Sequence, residues 1–142
     1  MTITVKKITA DEQSDAFAIR HKVFVEEQHV PPTLELDSLE NEATHFLATV
    51  NGELAGTARM RLVTPRSAKA ERVAVLSRYR GSGVGRELMA ALETEAMAQG
   101  ASEVELHAQT QAQPFYSTLG YKPYGEFFLD AGIEHIAMKK EL

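Results

Sequence analysis

The sequence predicts a mixed α/β sheet with helices on its faces. Three observations carry this. Short runs of alternating apolar and polar residues recur along the chain, two segments carry a clear helical period, and turn residues sit between them in the order β-α-β-β-β-α-β-α-β-β. Ile3 to Ile8 reads as an edge-like strand. Thr9 and Glu12 have the spacing of a capping box, so a helix is expected next, with Ala16, Ile19 and Val23 on one stripe and Phe17 and Phe24 beside it. Pro31 and Pro32 cannot continue it. The acidic stretch from Thr33 to Ala43 reads as a loop or short helical turn.

His45 to Val50 and Leu54 to Val63 read as a strand pair joined through Asn51-Gly52, two residues that tolerate positive φ. Lys69 to Leu76 is a further strand. A glycine-rich turn spans Arg78 to Gly85, followed by a helix from Arg86 to Gln99 that Gly100 stops. Glu103 to Ala108 alternates as a strand, and Thr110 to Leu119 is a short helix, with Thr110 and Gln113 again at capping-box spacing. Tyr121 to Leu129 and Glu134 to Lys139 close the chain as two strands joined through Asp130-Ala131-Gly132.

The 142 residues fit one domain, since a chain of this size buries about 68% of its unfolded surface around a single core. No cysteine is present, so disulfides, thiolate metal sites and a cysteine nucleophile are excluded. The histidines show no metal-ligand spacing, and no metal is expected. No apolar run approaches the roughly 18 residues of a membrane span, and Met1 to Lys7 lacks a signal-peptide core, so a cytoplasmic location is expected. The net charge of −5 argues against a nucleic-acid partner. Within that acidic chain, Arg72, Arg78, Arg80 and Arg86 bracket the glycines.

That turn, Arg80-Gly81-Ser82-Gly83-Val84-Gly85-Arg86, follows a strand and opens a helix. A helix start presents unpaired N–H groups and partial positive charge, and glycines let an anion approach the backbone. A dinucleotide fingerprint would need a third glycine where Arg86 stands, and a P-loop would need a lysine that is absent. What remains is R-x-x-G-x-G, from Arg80, Gly83 and Gly85. Taken alone, it is also compatible with a glycine-rich turn that binds nothing.

R-x-x-G-x-G resembles the acetyl-CoA pyrophosphate signature of the GNAT family of N-acetyltransferases. A second block, Gln109-x-x-Ala112-x-x-Phe115-Tyr116-x-x-Leu119-Gly120-Tyr121, is similar to that family's N-x-x-A-x-x-F-Y-x-x-x-G-F element, with Gln109 in place of asparagine. The likeness covers Ile3 to Lys139, and the chain also looks like the small bacterial branch that includes glyphosate N-acetyltransferase.

The resemblance implies one GNAT domain over 1–142, a mixed, mostly antiparallel sheet of six to seven strands with helices on both faces, and acetyl-CoA as co-substrate. Arg72 to Val75, with Val73, Ala74 and Val75 as the contacts, would offer backbone groups to the pantetheine arm through a V-shaped splay against the Glu103–Ala108 strand. Gly81, Ser82, Gly83, Val84 and Gly85 would hold the pyrophosphate, with Arg80 and Arg86 supplementing them and Arg78 at the 3′-phosphate. Gln109 and Phe115, from the second block, fall on the cofactor side.

Acetyl transfer needs a deprotonated amine and a protonated leaving thiolate. Tyr116 matches the family position whose hydroxyl donates to the sulfur, and a phenol is protonated near pH 7. His135, in Gly132-x-x-His135-Ile136-x-Met138, resembles the branch's base, while Glu71 resembles the glutamate base of the histone-acetylating branch. His107 and His45 are weaker candidates, and His21 and His29 read as solvated helix surface.

Arg20 and Arg72 resemble arginines that clamp an anionic substrate. Conversely, Glu26, Glu27, Glu35 and Asp37 would suit a cationic amine acceptor. The family implies a homodimer through the C-terminal strands, where Tyr124, Phe127, Phe128 and Leu129 supply apolar area. Two other readings stay open: an acyl-CoA sensor without catalysis, and a mononucleotide-binding domain.

Overall fold

A computed structural model describes residues Met1–Leu142. Seven strands form one sheet: β1 (Ile3–Ile8), β2 (Thr44–Val50), β3 (Glu53–Thr64), β4 (Ser67–Val75), β5 (Glu103–Gln109), β6 (Lys122–Asp130) and β7 (Ile133–Glu141). Their order is β1-β2-β3-β4-β5-β7-β6, antiparallel throughout except for the β4–β5 pair. Helices are α1 (Gln13–Arg20), α2 (Pro32–Glu35), α3 (Val84–Ala98) and α4 (Gln113–Thr118). No helix is long and apolar enough to cross a membrane.

Period-2 alternation splits each strand between two cores. On one face Phe46, Ala48, Val104 and Met138 pack with Leu88, Met89 and Leu92 of α3 and Tyr116 of α4. On the other, Leu47 and Ala74 meet Ala16 and Ile19 of α1 together with Val23. Helices therefore cover both faces, as expected.

In neither capping box does the threonine hydroxyl cap the turn. Thr9 precedes a 3-10 turn with no side-chain cap, and Glu12 pairs with Lys6 across the start of the chain. Gln109 rather than Thr110 precedes the second 3-10 turn, again with no side-chain cap. After Arg20 the first helix widens into a π-helical segment from His21 to Glu27, and the Gln28 N–H donates to Val23 O at 3.2 Å. Such widened turns favour functional sites because they displace side chains from helical register.

Two features make an opening in the sheet. The β4–β5 ladder runs only from Ser67↔Glu103 to Ala70↔Leu106, although β4 continues to Val75 and β5 to Gln109. Just past that point β4 bulges. Arg59 opposes Glu71 and Thr57 opposes Ala74, so one residue of β3 faces two of β4, and Arg72 takes φ +53°. The strands part as the resemblance implied.

Candidate active site

The gap between β4 and β5 opens into a cavity of about 570 Å³. Val73, Ala74 and Val75 form its β4 wall, and His107 and Gln109 its β5 wall. The π-helical segment adds Val23 and Phe24, α4 adds Tyr116, and the β6–β7 hairpin adds Asp130, Ile133 and His135. The chain thus brings Tyr116, His135, Glu71, Arg72 and Arg80 to one cavity from four separate stretches.

Tyr116 is 8% exposed, and its ring packs edge-on against Phe115 and Tyr121. Burial pushes its phenol well above the usual tyrosine range, with no hydrogen-bond partner contributing. The hydroxyl therefore stays protonated, and no protein acceptor engages it. His135 is 9% exposed and stacks on Phe128, with ring centroids 5.8 Å apart and planes 24° apart. Its Nδ1 lies 2.6 Å from Ile133 O. A carbonyl only accepts, so Nδ1 carries the hydrogen and Nε2 is left as an acceptor.

Glu71 is a poor base. Burial pushes its carboxyl up, but Arg61 at 2.8 Å and Arg59 at 3.0 Å outweigh that and hold it below the usual carboxylate range, with Lys69 at 3.7 Å. A carboxylate that three cations keep ionised does not take up a proton at neutral pH.

Arg20 is not a substrate clamp. It is 1% exposed and absent from the cavity wall. Its guanidinium is saturated by Glu35 at 2.6 Å, Glu40 at 2.7 Å and the Glu35 carbonyl at 3.0 Å. The acidic segment after α1 is equally occupied: Asp37 pairs with Arg59 and Arg72, and Glu40 with Arg20 and Arg59. Against the upward push of burial, those arginines draw Asp37 and Glu40 each down to about 2. Glu35 and Asp37 therefore do not await a cationic acceptor. Glu26 meets His21 and Glu27 meets Arg80, both on the surface. Arg72 does reach the cavity, but it ties the α2 segment to β4 through the Glu35 carbonyl at 3.0 Å and Asp37 at 3.3 Å.

At the glycine turn, Gly81 and Gly83 adopt φ +78° and +97°, which only glycine takes without strain. Gly83 caps α3 with no side-chain hydrogen bond, so the first N–H groups of that helix are open to an anion. Gly85 is needed for packing: a Cβ there would stand 3.0 Å from Phe115 Cζ. That contact, not the cavity wall, is where Phe115 sits. The Val84 side chain is buried in the core, and the Ser82 hydroxyl donates to Tyr79 O. Arg80 donates Nε to Val75 O at 3.0 Å and pairs with Glu27 at 2.9 Å. Arg86 is exposed and has no ion-pair partner, while Arg78 pairs with Glu53 and covers the Tyr79 ring.

Gln109 closes one end of the cavity by exchanging amide hydrogen bonds with Gln28, at 2.7 and 3.2 Å. Neither Gln28 nor Arg59 stands out as a site residue in the sequence: their partners lie 81 and 12 to 22 positions away. His107 also lines the cavity, edge-on to Phe128 at 5.0 Å. Burial, and then the charge of Lys69, lower its pKa. His45 is buried beneath the acidic segment, donating Nε2–H to Glu40 O at 2.9 Å, and lies off the cavity wall.

Residues 6–142 match the family model described as an acetyltransferase (GNAT) domain. The uncharacterized N-acetyltransferase YjcF of Bacillus subtilis is 45% identical over 132 residues, covering 92% of this chain and 94% of that protein. Among solved structures, Escherichia coli ElaA superposes with a TM-score of 0.84 at 27% identity, covering 99% of this chain and 100% of its own. An acyl-CoA N-acyltransferase from Pseudomonas aeruginosa superposes at 0.81 and 28% identity, covering 98% of both chains.

Proposed function

The chain belongs to the GNAT acetyltransferase family, and we propose that it moves the acetyl group of acetyl-CoA directly onto the amine of a small molecule. One observation carries the reading. Where β4 and β5 part, a protonated phenol with no partner and an imidazole with a free Nε2 line the same cavity.

In this reading the exposed backbone of Val73 to Val75 pairs with the pantetheine arm as an added strand would. The open N–H groups at the start of α3 hold the pyrophosphate, helped by Arg86 and by Arg80 once it leaves Glu27. The acceptor amine enters beside His107 and His135. His135 Nε2 takes its proton, the nitrogen lone pair forms the C–N bond, and the C–S bond breaks. Tyr116 O–H gives its proton to the departing sulfur. No covalent enzyme intermediate is needed, which fits a chain without cysteine. Glu71 takes a positioning role, anchoring Arg59 and Arg61 behind β4. The reading extends to a homodimer through β6, an edge strand on which Phe127 is 57% and Leu129 74% exposed.

Calorimetric titration with CoA, repeated in the presence of ATP, tests the donor site. Binding of CoA that ATP does not displace supports the reading, whereas a preference for ATP would replace it with nucleotide binding. Binding with no product from any amine would make the protein an acyl-CoA sensor.

A further inference from the structure

Six side chains with a formal charge line the cavity: Glu35, Lys69, Glu71, Arg72, Arg80 and Asp130. Five have an opposite charge within 4 Å. Glu35 meets Arg20 at 2.6 Å, Arg72 meets Asp37 at 3.3 Å and Arg80 meets Glu27 at 2.9 Å. Glu71 is shared by Arg59, Arg61 and Lys69, the last at 3.7 Å. Asp130, exposed at the rim of the cavity, alone has no cation within 4 Å.

Its position is built by a tight hairpin. Asp130 pairs with Ile133 across two residues of positive φ, Ala131 at +52° and Gly132 at +77°, the geometry of a type I′ turn. Ala131 holds a conformation that L residues disfavour, and it too lines the cavity. Phe128 pairs with His135 and Asp130 with Ile133, so by strand alternation all four share one face of the sheet. Asp130 and His135 are thus one strand repeat apart, about 7 Å. Its charge also reaches His107, where it opposes the lowering caused by burial and by Lys69.

We propose that Asp130 selects the acceptor by holding a second ammonium group, so that the preferred substrate is an amine carrying a further positive charge a few methylenes from the reacting nitrogen. This rests on the transfer reading above. His135 would act on one nitrogen while Asp130 fixes the other. A diamine of four carbons spans about the distance that one strand repeat sets.

The test compares 1,4-diaminobutane with n-butylamine, which have the same chain length and differ by one charge. The readout is the ratio of their kcat/KM values. Wild type should favour the diamine about threefold, the scale of an ion pair at the exposed rim, and the preference should weaken with added salt. Asp130→Asn, which keeps a residue suited to the turn, should bring the ratio close to one, and Asp130→Glu should retain part of it. Glu126→Gln, on the same strand but off the cavity, should leave the ratio as it is.

A wild-type ratio of one, an unchanged ratio in Asp130→Asn, or a preference for amines bearing a carboxylate, drawn by Lys69, would overturn the proposal. Turnover of n-butylamine reports on transfer itself. If neither amine reacts, the transfer reading stands or falls on the wider amine panel, independently of Asp130. The two amines' dissociation constants for the CoA complex, measured by calorimetry on the same variants, then test Asp130 by the same ratio.

Discussion

Removing Arg20 should destabilise the fold more than removing Arg59, although Arg59 touches more carboxylates. Both guanidiniums are 1% exposed. Arg59→Met strips a partner from Asp37, Glu40 and Glu71, yet each keeps another: Arg72 at 3.3 Å, Arg20 at 2.7 Å and Arg61 at 2.8 Å. Arg20→Met leaves Glu40 with Arg59, but it leaves Glu35, 5% exposed, with no cation at all. Breaking a buried pair costs about 3–5 kcal/mol because the survivor is an uncompensated charge. Arg20→Met therefore belongs within that range, near 5 kcal/mol, and Arg59→Met, which orphans no carboxylate, below about 3 kcal/mol. Urea unfolding at pH 7, read as the midpoint at constant slope, separates the two. Arg20→Met combined with Glu35→Leu should recover much of the loss, since the orphaned charge leaves with its partner. The reasoning is refuted if Arg59→Met is the costlier variant, or if the double variant is no more stable than Arg20→Met.

Tyr116→Phe should lower kcat about 100-fold or more while moving stability by less than about 1 kcal/mol, because the hydroxyl has no protein partner to lose; kinetics and urea unfolding on one preparation check both. Gly83→Ala should cost about 1–2 kcal/mol, since alanine must then hold φ +97°, and should weaken CoA binding by disturbing the α3 start; calorimetry and unfolding read the two effects. The arginines depress Asp37 and Glu40 from 3.8 and 4.5 to about 2, so both contribute stability above the unfolded values that is lost as pH falls from about 4.5 toward 2. After solvent screening this is about 1–2 kcal/mol for each, and acid titrations of wild type against Asp37→Asn should show the variant flatter across that window.

What could be read from the sequence follows from how local each cause is. The β2–β3 hairpin and the glycine turn were legible because positive φ at Asn51, Gly52, Gly81 and Gly83 is a property of those residues themselves. Motif likeness singled out Tyr116 and His135, and both line the cavity. The capping-box spacing misled because the Thr9 hydroxyl caps nothing, and the second turn is preceded by Gln109 rather than Thr110. Arg20 was visible as a charge, but the Glu35 and Glu40 that consume it stand 15 and 20 positions on and meet it only after α2 folds back. The bulge at Arg72 and the π-helical segment are set by tertiary packing and leave no local signature. Asp130 looked like an ordinary turn residue until the neutralisation of every other charge on the wall singled it out.

The most direct test of the account is the initial rate of CoA release from acetyl-CoA across an amine panel, for wild type, Tyr116→Phe and His135→Ala. The account predicts amine-dependent release in wild type. It also predicts a loss in Tyr116→Phe at every pH, and a loss in His135→Ala that eases as pH rises and the free amine no longer needs a base. Full activity in both variants, or release that does not depend on the amine, would contradict it.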